Sequence, residues 1–227
     1  NKNSEWHMFG KSAQRDFKHH LNINRLKEKW SKLIPTPKRP VKRRYYNERR
    51  RIIKNAPNAY PIIANSTVFV NNGQSVYAYD LYTSELKWKF QGLISKLNSD
   101  SKSQIINSLT YDKNFLYLNI EGKTPTQKAD HWSIYQISKI IPERKLIKLD
   151  ASNGKLIWKV ENNKKGADTF ANKVSFMTSP VIWDKNLYVG ATELTGLFNS
   201  YVVAVNPTNG KIKWKTLLGS AQQELNM

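Results

Sequence analysis

The chain has 227 residues, no cysteine and a formal net charge of +20. The lack of cysteine excludes disulfides, thiolate metal sites and a cysteine nucleophile, and no run of eighteen apolar residues marks a membrane-spanning helix. Aromatic residues make up 11% of the chain, which is typical of a folded protein rich in strands. The positive charge favours acidic partners, namely nucleic acid, anionic lipid or an acidic protein surface, without choosing among them.

The N-terminal quarter of the chain carries most of this charge. Residues 1–54 contain 17 Lys and Arg against 4 Asp and Glu. Residues 1–33 form an N-terminal segment in which Leu-Lys-Glu-Lys-Trp predicts a short closing strand that ends on Trp30. Residues 34–58 contain prolines near both ends, which argue against regular structure there. We therefore interpret residues 34–58 as an exposed basic insertion.

The basic insertion is the first candidate binding element. Its Lys and Arg side chains could pair with phosphates or with acidic groups, and its two tyrosines could stack on bases. No nucleic-acid module frames it, so a protein or lipid partner ranks above nucleic acid; a solvated loop without a specific partner ranks above both. The candidate partner-binding residues are Lys38, Arg39, Lys42, Arg43, Arg44, Tyr45, Tyr46, Arg49, Arg50 and Arg51.

A repeated phrase organises the rest of the chain. Three times a strand ends on Asp or Asn, a tight turn follows, and a second strand reaches Trp eight residues later. The Asp or Asn side chain can accept backbone N–H bonds in the turn, Gly supplies a positive φ, and Trp buries a large ring whose N–H needs a partner. The structural repeat residues are Asp80, Trp88, Asp150, Gly154, Trp158, Asn206, Gly210 and Trp214.

Each phrase completes a set of four short antiparallel strands. The predicted blades cover residues 59–90, 107–160 and 178–216, which gives an all-β fold of β-propeller blades. Residues 120–143 interrupt the second blade; elaboration of the blade rim is the favoured interpretation, and a second candidate contact loop is the alternative. The residues after 216 predict the start of a next blade, so we expect the 227 residues to be part of a longer propeller.

The phrase resembles the tryptophan-docking repeat of the PQQ-type β-propellers, a superfamily that includes quinoprotein alcohol dehydrogenases and BamB-type envelope proteins. The family pattern is Ala-x-Asp-x-x-x-Gly-x-x-x-Trp. This chain departs from it with Ser84 in place of Gly, Lys148 in place of Ala and Asn206 in place of Asp. The resemblance implies a propeller of seven or eight blades, of which about three to four are present here, and a location in the periplasm or cell envelope.

The resemblance leaves two functions open. One is a non-catalytic scaffold that binds a protein partner, as BamB-type proteins do; the other is a dehydrogenase that uses PQQ with Ca²⁺. Many such dehydrogenases stack PQQ against adjacent cysteines, and this chain has none. Its four histidines, at positions 7, 19, 20 and 131, show no zinc-ligand spacing. We therefore predict a scaffold without catalytic, cofactor or metal residues. The dehydrogenase, and a basic adaptor for nucleic acid or anionic lipid, remain as alternatives.

Overall fold

A computed structural model describes residues 28–35, 59–94, 108–122, 143–161, 170–193 and 198–221. The candidate partner-binding residues of the basic insertion lie outside this part of the chain, as do residues 123–142 of the second candidate loop. The described residues form three antiparallel sheets, which follow one another in chain order. The predicted all-β class with four-stranded antiparallel blades is confirmed.

Each sheet is one blade; the strands of blades 1 and 2 are paired in chain order, as are β10 to β13 of blade 3, whereas β9 pairs with β11. Blade 1 consists of β1 (Ile62–Ala64), β2 (Thr67–Asn71), β3 (Val76–Asp80) and β4 (Leu86–Phe90). Blade 2 consists of β5 (Leu109–Asp112), β6 (Phe115–Glu121), β7 (Arg144–Asp150) and β8 (Leu156–Lys159). Blade 3 follows a short helix α1 (Phe170–Lys173) and consists of β9 (Val174–Phe176), β10 (Val181–Trp183), β11 (Asn186–Glu193), β12 (Phe198–Val205) and β13 (Ile212–Ala221).

The first hairpin of every blade closes through the same two-residue turn. Both turn residues have positive φ in each case, as a type I′ turn requires, because that turn matches the right-handed twist of the flanking strands. Asn and Asp tolerate such φ values better than most residues do. The turn residues are Asn65 and Ser66 in blade 1, Lys113 and Asn114 in blade 2, and Asp184 and Lys185 in blade 3.

The hydrophobic cores lie between the blades. Phe69 of blade 1 and Leu118 and Leu149 of blade 2 belong to one buried cluster, and Tyr117 of blade 2 belongs with Leu187 of blade 3 to a second. Strands β1, β5 and β10 of the three blades lie side by side, since β5 contacts both β1 and β10. Because each blade buries one face against the next, the sheets stack as propeller blades do.

Two predicted boundaries and one predicted strand are wrong. β13 was predicted to end at residue 216, but it continues to Ala221, because β12 begins at Phe198 and pairs with the additional residues. Blade 3 begins with β9 at Val174 instead of at 178; β9 and β10 both pair with β11, and Pro180, which has no N–H to donate, lies in the break between them. Residues 28–35 contain no strand, in contrast to the predicted closing strand.

Side-chain contacts, instead of strand pairing, hold residues 28–35 on blade 1. Trp30 and Ile34 pack on a cluster that includes Val68 and Tyr79, on the side of blade 1 away from blade 2. At the end of the segment, Asn72 Nδ2 donates to the carbonyl of Pro35 at 2.7 Å. The segment therefore covers blade 1 without extending its sheet.

Candidate functional site

The Asp or Asn of each phrase organises the turn that follows it. Oδ1 of Asp80, Asp150 and Asn206 accepts a hydrogen bond from the backbone N–H two residues later, at 2.8 Å in all three. The backbone N–H of the same three residues donates to the carbonyl five positions later, at 2.8–2.9 Å. We call residues 80–84, 150–154 and 206–210 the receptor turns.

Hydrogen bonds keep both aspartates of the receptor turns ionised. The backbone N–H groups of Thr83 and Tyr82, together with Lys87, lower the pKa of Asp80 to about 2; Lys87 Nζ lies 3.0 Å from Asp80 Oδ2. The hydroxyl and the backbone N–H of Ser152 are the largest causes that lower the pKa of Asp150. These carboxylates act as hydrogen-bond acceptors in turns, and a lowered pKa makes them poor general acids.

The last residue of each receptor turn has positive φ, with values of 63° at Ser84, 74° at Gly154 and 72° at Gly210. A Cβ on Gly154 would lie 2.5 Å from Cε3 of Trp88, and a Cβ on Gly210 would lie 2.9 Å from the ring of Trp158. Glycine is therefore required here for two reasons, the backbone conformation and the ring that lies against it.

Three tryptophans donate their indole N–H to a receptor turn. Trp88 Nε1 donates to the carbonyl of residue 151 at 3.0 Å, Trp158 Nε1 to that of residue 207 at 3.1 Å, and Trp30 Nε1 to that of residue 81 at 2.8 Å. In each case the acceptor directly follows the Asp or Asn of the turn. Trp88 and Trp158 thus contact both the glycine and the carbonyl of the second residue of a receptor turn, whereas Trp30 donates to the corresponding carbonyl of turn 80–84.

Trp214 differs from the other tryptophans of the phrase. Its ring packs on Tyr188 of its own blade, with 5.9 Å between ring centroids, and is 46% exposed. No residue within the described ranges accepts a hydrogen bond from its N–H. The predicted repeat residues are thus brought together in two pairs, Trp88 with turn 150–154 and Trp158 with turn 206–210, whereas Trp214 stays apart from them.

The sequence analysis missed the role of Lys148. This side chain is 5% exposed, and its Nζ donates to the carbonyl of Pro207 at 3.0 Å, the same carbonyl that Trp158 contacts. The Nζ also lies 3.7 Å from the ring centroid of Phe115. Burial lowers the pKa of Lys148. The sequence signal for this role was Lys148 itself, which stands where the family pattern has Ala. Its position lies opposite Trp158 on the neighbouring strand.

A second type of link between blades was also missed. Asn71 Nδ2 donates to the carbonyl of Asn119 in blade 2 at 3.0 Å, and Asn119 Nδ2 donates to the carbonyl of Thr178 at the start of blade 3 at 2.6 Å. Both asparagines are the fifth residue of the second strand of their blade. Blade 3 has Gly190 at the equivalent place, so this link ends there.

A buried charged group lies where residues 123–142 leave blade 2. Arg144 is 1% exposed, and burial lowers its pKa to about 10, an effect opposed by the charge of Glu121 on the neighbouring strand. Glu143 and Lys145 form an ion pair at 2.9 Å. Two positive and two negative side chains lie together here, so the group has no net charge. It anchors both ends of the second candidate loop.

Binding of PQQ with Ca²⁺ would require a group of carboxylate ligands that converge on one point. Among the described residues, no three His, Cys, Asp or Glu side chains lie close enough together to hold a metal ion. This part of the chain therefore offers no carboxylate cluster of the kind that holds Ca²⁺. In the same ranges, no helix is long and apolar enough to cross a membrane.

Comparisons with known proteins support the propeller. The family described as outer membrane protein assembly factor BamB matches residues 122–227. This match covers just under half of the chain and supports PQQ-like repeats in that part of it. No curated protein matches this chain by sequence.

Three solved structures share its fold. Europium-containing methanol dehydrogenase is 18% identical with a TM-score of 0.55, and the alignment covers 95% of this chain and 32% of the dehydrogenase. Quinohemoprotein alcohol dehydrogenase ADHIIG from Pseudomonas putida HK5 is 15% identical with a TM-score of 0.60, and 95% of this chain covers 27% of that one. The corresponding enzyme from Comamonas testosteroni is 14% identical with a TM-score of 0.56, at 94% and 27% coverage. The chain therefore spans about a third or less of the length of each of these proteins.

Proposed function

We propose that this chain is a non-catalytic scaffold that binds a protein partner in the periplasm or cell envelope. The observation that carries the proposal is the use made of the repeated polar side chains. The Oδ1 atoms of these side chains accept hydrogen bonds from turn amides in Asp80, Asp150 and Asn206. The pKa values of both aspartates lie below the usual range. The match to the BamB family, whose description names outer membrane protein assembly, supports a protein partner.

The basic insertion is the element that we propose to contact the partner. Its charge, concentrated in Lys38–Lys42 and Arg43–Arg51, would attract an acidic protein surface and speed the encounter. Because such attraction is screened by salt, binding should weaken as ionic strength rises. A partner that is acidic and bound in a salt-dependent manner is therefore the expected outcome.

Cross-linking and affinity capture from envelope extracts test this role. Changing Arg49, Arg50 and Arg51 to Ser should lose the partner. A matched control removes the same charge from exposed sites elsewhere, by changing Lys155, Lys173 and Lys211 to Ser, and should retain it. Equal recovery of every partner with both variants would contradict the assignment to the basic insertion.

A cofactor titration separates the scaffold from the dehydrogenase alternative. PQQ and Ca²⁺ are added to the protein, the protein is separated from free PQQ by gel filtration, and the absorbance of retained PQQ is measured. The scaffold predicts no retained PQQ and no dye-linked oxidation of an alcohol. Stoichiometric retention of PQQ that depends on Ca²⁺ would contradict the scaffold and favour the enzyme.

A further inference from the structure

The last strand of each blade differs in charge from the other strands. β4, β8 and β13 together contain five lysines and no aspartate or glutamate. The ten other strands contain three Lys and Arg against five Asp and Glu. Because β1, β5 and β10 lie side by side at one end of the sheets, the last strands lie at the opposite end. We call β4, β8 and β13 the outer rim.

Large apolar side chains are exposed on the same strands. Leu156 and Ile157 of blade 2 are 37% and 44% exposed, although blade 2 packs against blade 1 on one side and against blade 3 on the other. Their exposure is therefore a property of the outer rim and does not result from a missing neighbour. Exposed apolar groups that lie together commonly mark a binding surface.

β13 presents the largest part of the outer rim. It has ten residues, against five in β4 and four in β8, and residues 213–220 are all exposed. Leu217 and Leu218 are each more than half exposed. Leu217 lies opposite Tyr201, which packs on the cluster between blades 2 and 3. Leu217 is therefore on the side of blade 3 that faces blade 2, so a blade that followed blade 3 would not cover it.

The positive charge of the outer rim is concentrated on β13. Lys213 and Lys215 are exposed, and the strand has no carboxylate of its own to neutralise them. Lys215 Nζ lies 4.1 Å from the ring centroid of Phe170, a contact that keeps the ammonium group beside apolar surface. By contrast, Lys159 of β8 is paired with Glu161 at 2.6 Å. Two lysines and two exposed leucines thus follow one another along a single strand.

We propose that the outer rim of blades 2 and 3 binds the surface of an anionic lipid bilayer. Lysines beside exposed aliphatic side chains suit the boundary between head groups and acyl chains, where ammonium groups contact phosphates and aliphatic groups leave water. An acidic protein surface would match the lysines but not the leucines, and nucleic acid without sequence preference is bound by stacking on aromatic rings. This inference goes beyond the proposed function, because it concerns a lipid surface and does not involve the basic insertion.

A fluorophore on the outer rim tests the contact directly. The chain has no cysteine, so one introduced cysteine is a unique attachment site for a dye whose emission reports contact with water. Leu217→Cys places the dye on β13, and Ser66→Cys places it in the exposed first-hairpin turn of blade 1 as the control. The probes are vesicles of phosphatidylcholine alone or mixed with phosphatidylglycerol, with and without a quencher attached to the lipid chains.

The position of the dye decides the test, because a chain of net charge +20 is attracted to any anionic surface. With phosphatidylglycerol present, the emission of the dye at position 217 should shift to the blue and be quenched from the lipid. The dye at position 66 should show neither effect. Vesicles of phosphatidylcholine alone should change neither dye, and the response at position 217 should decrease as salt is added.

Paired variants separate the roles of charge and apolar surface. Lys213→Asn with Lys215→Asn should weaken binding to phosphatidylglycerol vesicles about tenfold or more. Lys113→Asn with Lys185→Asn removes the same charge from exposed first-hairpin turns and should leave the response at position 217 unchanged. In the chain without a dye, Leu217→Ser with Leu218→Ser should weaken vesicle binding about tenfold or more. Leu33→Ser, at a side chain that is exposed elsewhere, should not, and circular dichroism checks that each variant is folded.

Four results would overturn the proposal. One is the absence of binding to phosphatidylglycerol vesicles, and another is binding during which the dye at position 217 stays in water, which would assign the contact to another surface. A third is unchanged binding after both leucines are replaced, which would indicate adsorption by charge alone. The last is a response at position 217 to soluble polyglutamate or single-stranded DNA as strong as that to vesicles. The partner capture and the PQQ titration described above do not depend on these results.

Discussion

Replacement of Gly154 by Ala tests the contact between a receptor turn and its tryptophan. The new Cβ would lie 2.5 Å from Cε3 of Trp88, and the residue would keep a φ of 74°. The left-handed conformation costs a non-glycine residue about 1–2 kcal/mol, and overpacking typically costs about 1–3 kcal/mol. We therefore expect the free energy of unfolding to fall by about 2–5 kcal/mol.

Urea unfolding followed by tryptophan fluorescence measures this loss, and the urea midpoint should fall by about 1–2 M. Gly219→Ala is the matched control, because a Cβ there meets nothing within 4 Å, and it should change stability by no more than about 1 kcal/mol. In a Trp88→Ala background the ring is absent, so Gly154→Ala should cost only the backbone share of about 1–2 kcal/mol. A cost equal to that of Gly219→Ala, or the same cost with and without Trp88, would refute this reasoning.

Three further predictions concern single side chains. Trp88→Phe removes the N–H bond to Ala151 and should lower the free energy of unfolding by about 1–2 kcal/mol, whereas Trp214→Phe should change it by less than about 0.5 kcal/mol in the same urea assay. The pKa of Asp80 is about 2 in the folded chain, against 3.8 ordinarily. The contribution of Asp80 to stability should therefore be complete above pH 4 and decline as the pH falls towards 2. Asp80→Asn should remove that part of the acid dependence of the urea midpoint, measured across this pH range. Lys148→Met should keep stability within about 1.5 kcal/mol, because it fills a similar volume without a buried charge, whereas Lys148→Ala should lower it by about 2–4 kcal/mol through the cavity that it leaves; thermal unfolding distinguishes the two.

The repeats could be predicted because their information is local. The eight-residue spacing from Asp80 to Trp88 and from Asp150 to Trp158 specifies a strand, a turn and a strand, and the turn bonds depend on residues only two to five positions apart. Three copies in register then indicate stacked blades. This is why the all-β class and the antiparallel blades built on four consecutive strands are confirmed.

Features that depend on distant partners could not be predicted in this way. The length of β13 is set by the extent of β12, and the hydrogen bond of Trp30 reaches an acceptor 51 residues away in sequence. The burial of Lys148 depends on where Phe115 and Pro207 come together between two blades. The basic insertion lies outside the described residues, so its role as a contact element remains a prediction.

Hydrogen exchange of the indole N–H groups tests most directly whether the phrase fastens one blade to the next. Signals in a two-dimensional ¹⁵N NMR spectrum are assigned with Trp→Phe variants, and exchange is followed after transfer to D₂O. The N–H groups of Trp30, Trp88 and Trp158, each held by a carbonyl of a receptor turn, should exchange slowly, whereas that of Trp214 should exchange at once. Rapid exchange at Trp88 and Trp158, equal to that at Trp214, would contradict the account of how the blades are joined.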